Sequence, residues 1–182
     1  SGALAKFNNE KEITETLIYK TVSMLLNIPL SNVSQSEEEI YQHLADLEKR
    51  TGKILGDINN PLLVSVRSGA RSSMPGMMDT ILNLGLNDEV AASFARITNN
   101  ERFVYDSYRR LIMMFADVVM GKDKSIFEEY LTTYKKEHNY ENDVELTGDD
   151  WYKITLKYKE MYQELTNEEF PMDTTRQLIM AI

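Results

Sequence analysis

The stretch Val64–Leu86, VSVRSGARSSMPGMMDTILNLGL, decides how this chain is read. Leu62, Val64 and Val66 alternate with Leu63, Ser65 and Arg67, and the β-branched content suits a short strand. Ser68, Gly69 and Ala70 let the backbone turn sharply, and Pro75 and Gly76 break regular structure a second time. Thr80, Ile81, Leu82 and Leu84 then supply another apolar stretch. A fixed cation at a strand end, followed by exposed amides around a glycine, is one way to hold an anion such as a polyphosphate. A plain hairpin with one arginine at its bend fits the same pattern, and spacing alone does not separate the two. Neither GxxxxGK[ST] nor GxGxxG occurs, so the common phosphate-loop motifs are excluded.

Outward from this unit the chain reads as helices. Ile13, Leu17, Tyr19, Val22, Leu25 and Leu26 give a helix over 10–27 that Pro29 stops, and a polar connector follows over 31–36. Ser36 and Glu39 form a capping-box pattern opening a helix to about Thr51, with Ile40, Leu44 and Leu47 inward and Gly52 ending it. Asn87 or Asp88 caps a short helix to about Ile97, and Asn99–Asn100 mark a turn. A long helix over about 101–120 carries Val104, Tyr108, Leu111, Phe115 and Val118 on one face, with Gly121 at its end. Ser125 caps a helix with Phe127, Tyr130, Leu131 and Tyr134 inward. Thr147 with Asp150 opens another, carrying Trp151, Ile154, Tyr158, Met161 and Leu165, and Pro171 with Asp173 introduces 174–182. The expected fold is α+β, predominantly helical around one small β element. It divides into an amino-terminal helical segment (1–58), a strand–loop–strand element (59–86) and a helical subdomain (87–182).

Composition bounds the function. A net charge of −9 argues against nucleic acid or an anionic membrane as the main partner. No apolar run approaches the ~20 residues that a bilayer span needs. The chain has no cysteine, which excludes disulfides and thiol metal sites and fits a reducing, cytoplasmic setting, with an organelle as the alternative. The opening Ser1–Gly2 reads as the remnant of an expression tag.

SVRSGARSSMPGMMDTILNLGLND resembles the signature of the pyruvate, phosphate dikinases in their amino-terminal ATP-binding domain. The resemblance continues through NERFVYDSYRRLIMMFADVVMG at 100–121 and EEFPMDTTRQL at 168–178. It runs from about Glu37 to the carboxyl end, while 1–35 follow the pattern poorly. The lysine-bearing ATP segment of the family has no counterpart here. Phosphoenolpyruvate synthases share a related domain, but the SMPGMMD wording favours the pyruvate, phosphate branch. The resemblance implies an ATP-grasp-like nucleotide-binding domain with a helical lobe. It also implies a phosphohistidine reaction converting ATP, phosphate and pyruvate to AMP, pyrophosphate and phosphoenolpyruvate. Arg67 is then expected to contact the ATP phosphates as the catalytic cation, and Gly76, Met77, Met78, Asp79 and Thr80 to form the rest of the site, with Arg71 as a secondary cation. Magnesium, with ligands beyond this chain, and a monovalent cation are the implied cofactors. A histidine domain of the same protein and a homodimeric assembly are the implied partners, and this stretch alone is expected to be inactive. The alternative is a non-catalytic helical interaction module that keeps the signature for packing.

Other residues carry structural readings. Arg109 and Arg110 read as a solvated helix edge or as partners for Asp106 and Asp117. Tyr105, Tyr108, Tyr130, Tyr134, Tyr158 and Tyr162 read as packing between helices with wet hydroxyls. The methionines Met74, Met77, Met78, Met113 and Met114 read as pliable packing. His43 and His138 read as helix-surface histidines, since neither sits in a phosphohistidine motif.

Overall fold

The computed structural model describes residues 33–67 and 80–182, with side chains from Glu37 to Val66 and from Thr80 onward. The helix expected over 10–27 lies outside the described residues. The elements are α1 (Val33–Thr51), β1 (Ile54–Leu55), β2 (Pro61–Leu62), β3 (Val64–Arg67), β4 (Thr80–Leu84), α2 (Asp88–Thr98), α3 (Glu101–Val118), α4 (Ser125–Glu137), α5 (Gly148–Thr166) and α6 (Thr174–Ala181). A single 3₁₀ turn, Asp143–Glu145, precedes α5. The chain is α+β and mostly helical. Among the described residues, no helix is long and apolar enough to cross a membrane.

Helix ends follow their side chains. Asn87 accepts from the Val90 amide to start α2, and Asn99 closes it in the left-handed region at φ 49°. Asn100 accepts from the Phe103 amide to start α3. Thr147 and Asp150 form the expected capping box of α5, and Asp173 caps α6. Two expected starts move. Helix α1 begins at Val33, ahead of Ser36, because Ser34, Gln35 and Ser36 include no helix breaker. Ser125 is the first residue of α4 and not its cap; its amide donates to Asp123 instead.

The expected single β element is two separate pairs. Leu62 joins Leu55 in a parallel β1–β2 pair, whereas β3 and β4 pair antiparallel, so the apolar run divides at Leu63. The anticipated alternation holds, with Leu62, Val64 and Val66 all buried. On β4, Ile81 and Leu84 are buried although three residues apart, and Leu82 is 45% exposed. A bulge reconciles this with strand geometry: Val64 faces Leu84 while Val66 faces Ile81, and Asn83 sits at φ 59°.

The sheet rests on the helical core. The Val104, Tyr108, Leu111 and Phe115 face of α3 packs on Trp151, Ile154, Tyr158 and Tyr162 of α5, and the Thr155 hydroxyl donates to the Tyr105 carbonyl at 3.1 Å. Phe170 receives Tyr108, Phe115 and Tyr162 edge-on, with centroids 6.1, 5.5 and 5.5 Å away. Each such fully buried large side chain contributes about 1.5–3 kcal/mol through the apolar area it removes from water.

One structural reading needs correction, and another is decided between its alternatives. The hydroxyls of Tyr108, Tyr134 and Tyr158 are not wet. Tyr108 donates to Asp88 at 2.8 Å, Tyr134 to Asp150 at 2.7 Å and Tyr158 to the Phe127 carbonyl at 2.7 Å. The acceptors come from the first turns of other helices: the carboxylates of Asp88 and Asp150 and the Phe127 carbonyl. Of the two readings open for Arg109, a solvated edge or a partner for an acid, the second holds. Arg109 is 5% exposed, its Nε donates to Asp106 at 2.9 Å, and its guanidinium lies 4.5 Å from the Trp151 ring centroid. Arg110 keeps the expected reading, exposed and paired with Asp106. His138 stands exposed at the end of α4, stacked on Tyr134 at 4.0 Å.

The Tyr162 hydroxyl is buried without a hydrogen-bond partner among the described residues. Burial pushes it up to about 12, so it stays neutral in place. Tyr162→Phe removes an unsatisfied group and keeps the ring. It is therefore expected to leave stability unchanged or raise it by up to about 1 kcal/mol, measured by urea unfolding at neutral pH.

Candidate phosphate-holding element

The last rung of the β3–β4 ladder pairs Arg67 with Thr80. These two residues bracket the 68–79 segment, so the backbone of the expected cation and that of the expected hydroxyl donor stand opposite each other. Thr80 is half-buried beside the buried Ile81, as strand alternation requires. Of the sequence-predicted site residues, Arg67 is placed by its backbone and Thr80 in full. Arg71, Gly76, Met77, Met78 and Asp79 lie outside the described residues.

The other end of β4 is tightly held. Gly85 has φ +112°, and a Cβ there would stand 2.8 Å from both Leu55 Cδ1 and the Leu62 carbonyl oxygen. Only glycine fits that corner, since the conformation and the space exclude a side chain together. The Gly85 amide donates to Gln177 Oε1 at 3.0 Å, and Gln177 Nε2 donates to the carbonyls of Leu86 at 2.9 Å and Pro171 at 2.7 Å. Gln177 is fully buried on α6. Nothing local marks it in the sequence; its place in EEFPMDTTRQL is its one signal.

The segment after the sheet is pinned to the helical lobe. Asp88 takes Lys159 at 2.8 Å and the Tyr108 hydroxyl, and the Asn87 side-chain amide donates to the Met172 carbonyl at 2.9 Å. Burial first, then the neighbouring Asp88 carboxylate, raises the Tyr108 hydroxyl far above the ordinary tyrosine range, so it serves as a neutral donor. Among the described residues no three His, Cys, Asp or Glu side chains cluster as metal ligands.

No family model matches the chain. Individual proteins do. The pyruvate, phosphate dikinase of Clostridium symbiosum is 51% identical over 147 residues, covering 80% of this chain and 17% of that protein. The pyruvate, phosphate dikinase of Rhizobium meliloti is 48% identical over 145 residues, 80% of this chain and 16% of that one. The chloroplastic pyruvate, phosphate dikinase of Mesembryanthemum crystallinum is 52% identical over 145 residues, 80% and 15%. The chain thus spans about a sixth of the length of these curated relatives. On four fifths of its residues, at about half identity, this chain belongs to the pyruvate, phosphate dikinase family.

Proposed function

We propose that residues 59–86 hold the phosphates of ATP within the ATP-binding domain of a pyruvate, phosphate dikinase, with 87–182 as the helical lobe beside the nucleotide. The observation that carries this reading is the Arg67–Thr80 rung, which sets a cation-bearing and a hydroxyl-bearing position face to face at the base of the signature segment. An ATP-grasp-like fold and the division into 1–58, 59–86 and 87–182 belong to the same proposal.

In this reading the Arg67 guanidinium grips two phosphate oxygens through parallel charge-assisted bonds. Backbone amides at Gly76–Asp79 and the Thr80 hydroxyl add neutral donors. Fixed positive charge matters here because phosphoryl transfer spreads negative charge over the moving group, and a preorganised donor set meets that charge without rearranging. The ladder holds the two ends of the element in advance, so less conformational freedom is lost on binding. The overall reaction is the interconversion of ATP, phosphate and pyruvate with AMP, pyrophosphate and phosphoenolpyruvate through a phosphohistidine on another domain. Magnesium would neutralise the triphosphate. The described residues offer it no ligand cluster, so no step is assigned to it here. By this reading the chain binds nucleotide but does not turn over alone.

The test is calorimetric titration of magnesium-ATP into the chain and into Arg67→Ala, repeated in an intact dikinase carrying the same substitution. Arg67→Ala should weaken binding by about tenfold or more, the worth of a charge-assisted pair. Arg67→Lys should fall between, since a point charge replaces a fork. Equal affinities of the unmutated chain and the Arg67→Ala variant remove Arg67 from the site. A folded chain with no nucleotide affinity at all would favour the helical interaction module instead.

A further inference from the structure

We infer that Gln177 is a positioning residue for the Arg67–Thr80 rung, acting from α6 through the exit of β4; the inference rests on the phosphate-holding reading of that rung. A glutamine amide offers one acceptor oxygen and two donor hydrogens. All three are engaged, with Gly85, Leu86 and Pro171. Gly85 and Leu86 are buried, so without Gln177 their amide and carbonyl would be left dry and unpaired. Because no residue with a Cβ fits at position 85, the exit is held at one residue and no other.

That fixed exit keeps the ladder bulged. With Leu84 opposite Val64, a regular ladder would bring Leu82 opposite Val66 and Ile81 opposite Arg67. Instead one extra residue is accommodated, with Asn83 at φ 59°, and Ile81 and Thr80 take those places. Ile81 and Leu82 are both large and apolar, so burial separates these registers weakly. If the exit were free, two regular ladders would open to β4. One keeps Thr80 opposite Arg67 and moves Leu84 off Val64; the other keeps Leu84 and brings Ile81 opposite Arg67. Either abolishes the bulge, whose added twist directs the Arg67–Thr80 end of the hairpin.

Amide hydrogen exchange on the full chain tests this. In Gln177→Met, the amides of β3 and β4 should exchange about tenfold faster relative to those of α3 and α5, which report global stability. Adding Asn83→Gly, which favours the bulge at positive φ, should restore part of that protection. Affinity for magnesium-ATP should fall in Gln177→Met and recover in the double variant. In the unmutated chain, which needs no variant to fold, the Gly85 amide and the β3–β4 amides should open together as denaturant is raised. Overturning results are loss of protection uniform across sheet and helices, no recovery with Asn83→Gly, or a Gly85 amide that opens well before the ladder. The exchange arms use no nucleotide, so their failure removes the role of Gln177 alone. Unchanged ATP affinity in Arg67→Ala instead removes the phosphate-holding reading and leaves the exchange result standing.

Discussion

Trp151→Ala should cost this chain about 4–5 kcal/mol, the upper range for truncating a fully buried aromatic residue. The side chain is 1% exposed, and it forms the surface on which the Arg109 guanidinium rests at 4.5 Å. Truncation therefore does two things at once. It opens a cavity between α3 and α5, and it strips the aromatic face from a buried cation that is ion-paired with Asp106. Trp151→Phe keeps a ring below Arg109 and most of the volume, so a loss of about 2 kcal/mol is expected. Chemical denaturation followed by circular dichroism measures both. Trp151 is also the one tryptophan of the chain, which makes its fluorescence a direct report on the α3–α5 contact in every other variant.

The second large effect belongs to the neighbouring residue. Asp150→Ala should lose about 3 kcal/mol, because its carboxylate satisfies several donors at once, one of them in a buried bond. The Thr147 amide reaches it at 2.8 Å, the Thr147 hydroxyl at 2.9 Å, the Tyr134 hydroxyl at 2.7 Å and the Tyr140 hydroxyl at 2.9 Å. Burial pushes the carboxyl up. The Thr147 amide and then the tyrosine and threonine hydroxyls outweigh that and bring it down to about 2, against an ordinary value of 3.8. A carboxyl depressed in the folded state stabilises the protein above its unfolded pKa. That contribution, about 2 kcal/mol, is lost as pH falls from about 4 through 2. Acid titration of stability should therefore show a steep decline in this window that is shallower in Asp150→Ala. Equal slopes in the two chains would mean that Asp150 is not the group responsible.

Much of this fold is legible in the residues because its punctuation is local. Asn87, Thr147 with Asp150, and Asp173 accept from amides within a few positions, Asn99 donates its own amide to carbonyls of the last turn, and each was readable as a helix end. The inward stripes of α3 and α5 followed from helical spacing alone. What escaped was long-range. The β1–β2 pair is two residues per strand, too short for any periodicity, and side chains flank it, with the Glu48 carboxylate accepting from the Leu55 amide and Asn60 donating to the Gly52 carbonyl. The bulge at Asn83 was hidden because Ile81 and Leu82 are equally apolar. The pairing of Arg109 with Asp106 was open to reading, but its burial was not, because its aromatic partner, Trp151, belongs to a different helix far along the chain. The strand reading put Arg67 at the end of one strand and Thr80 at the start of the next, and the ladder sets the two backbones opposite each other; their roles in a site belong to the proposal. The roles assigned to 71 and 76–79 rest on resemblance, since those residues fall outside the described structure.

The separation between Gln177 and the strand it serves has a consequence for biogenesis. Its bonds to Gly85 and Leu86 close loops of more than ninety residues, the slowest kind of contact to form. During vectorial synthesis the hairpin emerges long before α6, and it waits with a bare amide and carbonyl at its exit while α2 to α5 assemble. Nascent chains stalled after Thr166 has emerged but before Gln177 has should thus carry a helical scaffold and an unfinished sheet, the condition in which strand edges are most open to chaperones and to one another.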